Sequence, residues 1–320
     1  MSSKKRSNPN IAQIAELAGV SVASVSRALN GKLGIGDSLR AKILSISEEL
    51  DYRPSLAARE LNLGKNAVVA ISMERVSWEA RPYYDILFRK LTLILHRQGL
   101  VPKSFSFEET SKIHRDACAA IILGVGETKE RAKILNDTNV PFISIESEVS
   151  RYSLIVDGRM GIKTVTKYLI DKGRTKIACL SADQGDYSRL QGYLEAVIEA
   201  GQKPQTLIHS YSSNFSLNSY RFIRKYIEEN GSQFDAYICV SDEDAIGVLA
   251  ALHDLGITVP DEVSVTGYDD LPIIGAKLTT LRQDLNDIAE QAVKLLLVAM
   301  NNGSAQTTII TPKLQIRQTA

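Results

Sequence analysis

Between Asn10 and Leu50 the apolar residues recur at helical spacing in successive segments. Ile11, Ile14, Ala15 and Ala18 share one helix face, with Asn10 placed to cap it and Gly19 to stop it. Ser21 then caps a second helix, which turns Val25, Ala28 and Leu29 inward and leaves Val22, Ala23, Ser26 and Arg27 outside. A third helix, Ser38 to Leu50, supplies Leu39, Ile43, Ile46 and Leu50 as the lid on a very small core. The tight turn at Ala18-Gly19-Val20 predicts a helix-turn-helix, whose second helix can enter a DNA major groove N-terminus first. Taken alone, the pattern also fits an ordinary helical hairpin.

From Ala67 the pattern changes to short β-rich runs that alternate with amphipathic stretches. Val68–Ile71, Ala119–Leu123, Phe142–Ile145, Lys176–Leu180, Ala236–Val240 and Val263–Thr266 read as strands. Tyr83–Arg97, Gly161–Lys172, Leu190–Ala200, Leu217–Glu229, Asp244–Leu255 and Asn286–Met300 read as helices. Such βα repetition predicts an α/β core of parallel sheets. Its roughly 255 residues exceed one doubly wound sheet, so two similar lobes are expected. Between head and core, Pro54 to Leu61 begins with Pro, is rich in helix formers and ends near Gly64. A helix of that length is below the ~12–15 residues needed for marginal helicity in water, so it needs a partner to form. A flexible linker is the plainer alternative.

Composition sharpens this division. The 320 residues carry 44% hydrophobic residues and a net charge of +1. Through Lys65, however, ten Lys and Arg stand against six Asp and Glu, a net +4, and the remainder is −3. Only the N-terminal segment has the balance of a polyanion footprint, although terminal basic clusters also occur simply as solvated surface. No apolar run approaches the ~18–20 residues that span a bilayer. The polar, basic stretch Met1 to Asn10 has no apolar centre, so no secretory signal is expected and the cytoplasm is the expected compartment. Cys118, Cys179 and Cys239 sit in separate apolar runs and are expected to be reduced, buried thiols, with no disulfide and no zinc site.

The run "IAQIAELAGVSVASVSRALNG" followed by "ISEELDYRPSLAARELNLGK" resembles the head and hinge of the lactose/galactose repressor family over about fifty ordered positions. "VDGRMGIKTVTKYLIDKGRTKIACLSA", "AYICVSDEDAIGVLAALHDLGITVPDEVSVTGYDDL" and "TTLRQDLNDIAEQAVKLLL" extend the resemblance through the core. The resemblance implies a helix-turn-helix head at 1–53, a hinge helix and linker at 54–65, and a bilobed core like that of periplasmic sugar-binding proteins at 66–320. The N-lobe would comprise about 66–160 and 284–308, and the C-lobe about 161–283 and 309–320. It further implies that Val22, Ala23 and Arg27 face base edges while Ser21, Ser24, Ser26, Asn30 and Tyr52 reach phosphates. Arg27 suits guanine, since a guanidinium can bond O6 and N7 together. Hinge helices from two subunits would pair in the minor groove of a palindromic operator, with Ala58 and Leu61 on the DNA and Leu61 as the wedge. Gly36 departs from the family's usual Ser at the cap of the third helix, which removes one phosphate contact.

In open α/β sheets the ligand lies outside the carboxyl ends of the strands, where Asp157, Asp242 and Asp269 fall. Carboxylates and Arg suit sugar hydroxyls, and an aromatic ring suits the apolar face of a pyranose. The family motif implies an effector cleft containing Asp157, Arg189, Ser241 and Asp269, with Phe215 as the stacking ring and Tyr83 and Tyr84 on the opposite wall. Each has a structural alternative. Asp242 reads first as a helix cap, and the aromatic rings equally fit a core role. Ser241 stands where the family commonly has Asn, which alters the sugar's identity.

An enzyme is poorly supported. "GVGET" at Gly124 to Thr128 lacks the third glycine and the acidic partner of a dinucleotide fingerprint and reads as a strand-to-helix turn. His96, His114, His209 and His253 are isolated, so no catalytic residue, cofactor or metal is expected. A periplasmic solute receptor shares the core architecture, but the basic head argues against it. The sequence therefore predicts a dimeric repressor of carbohydrate-use genes. It would bind near-palindromic double-stranded DNA and answer to a sugar-like effector, with no membrane partner. No added heptad segment follows the last strand-like run, so a dimer rather than a tetramer is expected. "RPYYDILFRK" and "LGVGETKERAKIL" resemble the galactoside-responsive branch of the family.

Overall fold

A computed structural model of the chain describes residues 11–29, 35–50, 67–74, 82–124, 126–183, 187–210, 214–272 and 277–320. The chain divides into two compact units, Met1–Ala67 and Val68–Ala320. Asn30, Tyr52, Ala58, Leu61 and the expected hinge helix lie outside the described residues.

The first unit holds helices α1 (Ile11–Ala18), α2 (Val22–Leu29) and α3 (Asp37–Glu49). Ile14, Ala15, Ala18, Val25, Ala28 and Ile43 form its core, closed by Ile11, Val20, Leu29, Leu39, Ile46 and Leu50. The turn after α1 runs through Gly19 at φ +71°, a left-handed conformation open to glycine at no steric cost. There the Val20 amide donates back to the Ala15 carbonyl at 3.0 Å. α3 begins at Asp37, one residue before the expected start, and the Gly36 carbonyl accepts the Arg40 amide at 3.0 Å. Lys42, counted above as part of the basic footprint, instead donates from Nζ to the Ala18 carbonyl at 3.1 Å. It thus closes the C-terminal end of α1, where a cation meets the negative end of the helix dipole.

The second unit contains two six-stranded sheets. The first has the order β11-β5-β4-β3-β1-β2, with β1 Val68–Ser72, β2 Val101–Phe105, β3 Ala119–Ile122, β4 Phe142–Ile145, β5 Tyr152–Val156 and β11 Gln306–Ile310. The second has the order β12-β10-β9-β8-β6-β7, with β6 Ile177–Ala182, β7 Gln205–His209, β8 Ala236–Cys239, β9 Ser264–Asp269, β10 Thr279–Arg282 and β12 Lys313–Gln315. All described pairings are parallel except β10 with β12. The inner strands are buried on both faces, as helices covering both sides of a parallel sheet require.

Helices α4 (Pro82–Arg97), α5 (Thr128–Asp137), α6 (Gly158–Asp171), α7 (Tyr187–Glu199), α8 (Phe215–Asn230), α9 (Asp242–Asp254) and α10 (Leu285–Met300) complete the core. α4 and α10 pack on the first sheet through Leu87, Leu91, Leu95, Ile288, Ala292 and Leu296. α6 and α7 pack on the second through Ile162, Val165, Leu169, Tyr193 and Val197. The chain therefore crosses between lobes three times, after β5, β10 and β11. Each lobe repeats one doubly wound strand order, an arrangement in which ligands lie outside the carboxyl ends of the strands. Two helix pairs are held close by glycine. A Cβ at Gly192 would meet the Arg159 carbonyl oxygen at 2.1 Å, and one at Gly247 would meet that of Ser216 at 2.2 Å.

Candidate DNA-reading surface and effector cleft

On the head, the Ser21 hydroxyl accepts the Ser24 amide at 3.2 Å and lies 3.0 Å from the Ser24 hydroxyl, which fixes the start of α2. The exposed side of α2 then presents Val22, 44% accessible, with Ala23 and Arg27, while Ser24 and Ser26 are half-buried at its margins. Ala23 and Arg27 are four residues apart and so share one stripe. The helix offers two small apolar side chains and one guanidinium, a surface able to meet a thymine methyl beside a guanine edge.

In the core, polar groups gather where strands end. Tyr84 Oη donates to Glu146 Oε2 at 3.1 Å, and Glu146 follows β4 with φ +67°. Tyr83 Oη donates to Gln283 Oε1 at 3.2 Å, and Gln283 Nε2 donates to Asp269 Oδ1 at 2.6 Å. A continuous chain of hydrogen bonds thus runs from α4 in one lobe to the end of β9 in the other. Burial, reinforced by Glu146 and Asp269, raises the Tyr83 phenol well above its ordinary pKa, so it stays a donor. Arg189 on α7 sets its guanidinium carbon 3.8 Å from the centre of the Tyr268 ring and donates to the Val240 carbonyl at 2.7 Å. Asp269 is buried, which lifts its carboxyl well above the ordinary range against the pull of Arg189. Tyr83, Tyr84, Arg189 and Asp269 therefore belong to one connected region.

The other expected effector residues each hold a local structural contact, with Ser241 just past the carboxyl end of β8. Asp157 caps α6, accepting the Met160 amide at 2.9 Å. Ser241 caps α9, accepting the Asp244 amide at 3.0 Å and donating to Asp244 Oδ2 at 2.8 Å. The cap assigned to Asp242 is thus held by its neighbour. Asp242 instead accepts the Leu271 amide at 2.8 Å and the Thr280 hydroxyl at 2.5 Å, tying the segment after β9 to β10. Phe215 opens α8, only 7% exposed, with its ring edge toward His209 at 6.0 Å.

Residues that the sequence reading missed hold the first lobe's edge. Arg131 on α5 is fully buried and donates to the carbonyls of Ser72, Leu123, Gly124 and Gly126 at 2.6, 2.9, 3.2 and 2.5 Å. Glu74 accepts the Gly126 amide at 2.7 Å, and a Cβ on Gly126 would lie 2.7 Å from its Oε2. These bonds clamp the segments after β1 and β3, and Gly124, Gly126 and Glu127 lie between β3 and α5. Glu146 and Gln283 carried no motif, and Arg131 lies in a polar stretch with no obvious inward face. Among the described residues no cluster of His, Cys, Asp or Glu could hold a metal ion. Cys179 and Cys239 are buried free thiols, whereas Cys118 is only half-buried.

The buried carboxyls set an acid preference. Burial pushes Asp242 up to about 6, against the Thr280 and Leu271 hydrogen bonds. An acid whose folded pKa is raised contributes stability that is full below its unfolded pKa and lost as pH rises through the folded one. At ~1.4 kcal/mol per pKa unit, Asp242 alone is worth on the order of 3 kcal/mol. Asp269 acts with the same sign. The melting temperature of the core is expected to rise as pH falls from 7 to 5, and Asp242→Asn to flatten that rise. A melting temperature that drops steadily over this interval would contradict the assignment.

Residues 10–55 match the bacterial regulatory proteins of the lacI family, and residues 166–320 match the periplasmic binding protein-like domain. The HTH-type transcriptional regulator GalR of Escherichia coli (strain K12) is 27% identical over 319 residues, covering 91% of this chain and 89% of that protein. The Lac repressor dimer bound to operator and the anti-inducer ONPF superposes with a TM-score of 0.71 at 19% identity, over 98% of this chain and 99% of that one. A complex of the transcriptional regulator CelR with cellobiose gives a TM-score of 0.71 at 20% identity, over 98% and 100%. Head, bilobed core and interlobe polar chain thus occur together in one sequence, and the chain belongs to the lactose/galactose repressor family of DNA-binding transcriptional regulators.

Proposed function

We propose that this regulator is a cytoplasmic homodimer that represses carbohydrate-use genes from a near-palindromic operator and changes its grip when a sugar-like effector enters between the lobes. The observation that carries this reading is the Tyr83–Gln283–Asp269 chain, which joins the two lobes at the carboxyl ends of their strands. A sugar hydroxyl inserted there exchanges with groups of both lobes and so favours one lobe arrangement over another. The coupling to DNA equals its difference in affinity for the two arrangements. The named relatives and neighbours include a GalR and a CelR–cellobiose complex, which supports a sugar as the class of effector. The segments "RPYYDILFRK" and "LGVGETKERAKIL" favour a galactoside among sugars. In this reading the cleft binds and releases its ligand unchanged, without catalysis.

Two measurements test it. Selection from random duplexes with the purified full chain is expected to return an inverted repeat. Thermal-shift screening is expected to find a stabilising sugar among galactose, lactose, cellobiose and ribose. Enrichment of no inverted repeat would remove the regulator reading, and stabilisation only by purines or phosphorylated metabolites would remove the sugar. Arg27→Ala is expected to relax base preference at one position of each half-site, at about 1–3 kcal/mol of discrimination. An unchanged binding-site profile would exclude Arg27 from base reading.

A further inference from the structure

Behind the C-lobe side of the cleft lies a buried polar cluster that is more elaborate than a helix cap needs. His209, the last residue of β7, is 4% exposed, and both its ring nitrogens face acceptors. Nε2 is 2.9 Å from Asp244 Oδ1, and Nδ1 is 3.1 Å from the Ser210 carbonyl oxygen. A carbonyl only accepts, so Nδ1 carries a hydrogen. Asp244 is fully buried; Oδ2 accepts the Ser241 hydroxyl at 2.8 Å, and Oδ1 lies 2.5 Å from the Ser219 hydroxyl, whose one hydrogen it shares with the Phe215 carbonyl at 2.9 Å. A carboxyl that takes hydrogens on both oxygens is best satisfied ionised, which puts a hydrogen on Nε2 as well.

The surroundings favour that charged pair. Asp244 comes from α9 and Asp183 follows β6, while Phe215 and Phe222 of α8 pack at 6.0 and 6.3 Å from the imidazole. The thiols of Cys179 on β6 and Cys239 on β8 also feel Asp244, and burial keeps both protonated. Burial alone would drive the imidazole toward neutrality. The Asp244 carboxylate outweighs it, aided by the Ser210 carbonyl and Asp183, and the pKa of His209 lies above the ordinary histidine value. Close contact between α8 and α9 at Gly247 keeps Ser219 within reach of Asp244.

We propose that His209 is a positioning residue for effector recognition: as an imidazolium it donates to Asp244 and holds that carboxylate in place, and Asp244 then takes the hydrogen of Ser241, leaving that hydroxyl an acceptor at the cleft edge. Ser241 Oγ has one hydrogen, given to Asp244 Oδ2, and one lone pair already receives the Asp244 amide. The remaining lone pair meets the effector. The C-lobe edge therefore selects a hydrogen-bond donor, such as a sugar hydroxyl, over a carbonyl or phosphate oxygen at that point. Loss of the imidazolium proton would set a nitrogen lone pair against the carboxylate, breaking the arrangement. This inference rests on the cleft being the effector site.

The test uses the full-length protein with 15N-labelled histidine, titrated from pH 5.5 to 9. Calorimetry with D-galactose, lactose, cellobiose and ribose follows over the same range. Two protonated ring nitrogens are expected at the acid end, with deprotonation above the ordinary histidine range. Affinity for the sugar that binds should fall about tenfold across that same interval. H209Q is expected to abolish the pH dependence. S241A is expected to lose affinity while leaving the His209 nitrogen shifts in place. An unprotonated Nε2 at pH 6.5, or a sugar affinity that is flat from pH 6 to 9, would overturn the proposal. Should H209Q fail to fold, the wild-type titration and S241A still decide. If none of the four sugars binds, the effector reading falls and the recognition role with it, while the nitrogen shifts still report the charge of His209.

Discussion

Replacing Arg131 with Met is expected to cost the core about 3–5 kcal/mol, the range for removing one partner of a buried charged group. The guanidinium is fully enclosed and satisfies four carbonyl oxygens drawn from the segments after β1 and β3. Methionine fills much of the space but donates nothing, so those oxygens lose the guanidinium, the Ser72 oxygen keeping only the Leu123 amide, and the Glu74 carboxylate loses a nearby cation. Urea unfolding should show the loss as a midpoint lowered by about 1 M or more, since slopes run about 1–3 kcal/mol per M. Arg131→Lys is expected to recover only part of it, because one ammonium cannot span the fork of four acceptors. A midpoint unchanged in Arg131→Met would mean that these loops are held by their own backbone.

Changing Asp269 to Asn is expected to weaken sugar binding by about 3–10-fold, matching the roughly 0.5–1.5 kcal/mol net worth of one hydrogen bond. Asn keeps the shape and one acceptor, so the bond from Gln283 survives in outline, but the second acceptor and the attraction to Arg189 are lost. Calorimetry on the full chain measures the change. Operator binding without sugar reports on folding, so a variant that holds DNA yet no longer responds locates the loss in the cleft. Equal sugar affinity in both proteins would place the ligand away from Asp269.

The head was legible because its information is local. Gly19, Ser21 and the spacing of Ile14, Val25 and Ile43 fix the helices and their inward faces with little help from the rest of the chain. The inner strands were legible as short apolar runs buried on both faces. Strands at or near sheet margins were missed because their burial is mixed. β2 contains Pro102 and exposes Lys103 and Ser104, and β11 is polar at its start. β5 was missed although it is buried, because Ser153 interrupts its apolar run and pairs instead with Ser144 at 3.0 Å.

The cleft was only half legible for a related reason. Carboxylates at strand ends stand out in sequence, yet the same position serves as helix cap, sheet tie or ligand contact. Asp157, Ser241 and Asp242 were separable only once the backbone amides they accept were known. Glu146 and Gln283 act through partners about sixty and two hundred residues away, and no local pattern encodes such pairings.

The repeated passage of the chain between the lobes has a practical consequence. Neither lobe is a continuous stretch of sequence, so simple truncation cannot yield one of them intact, and a protease that nicks a single connection leaves both halves tethered by the remaining two. With three crossings of backbone shared between them, the lobes are held to one another at three points, so any relative movement is confined to turning about those connections.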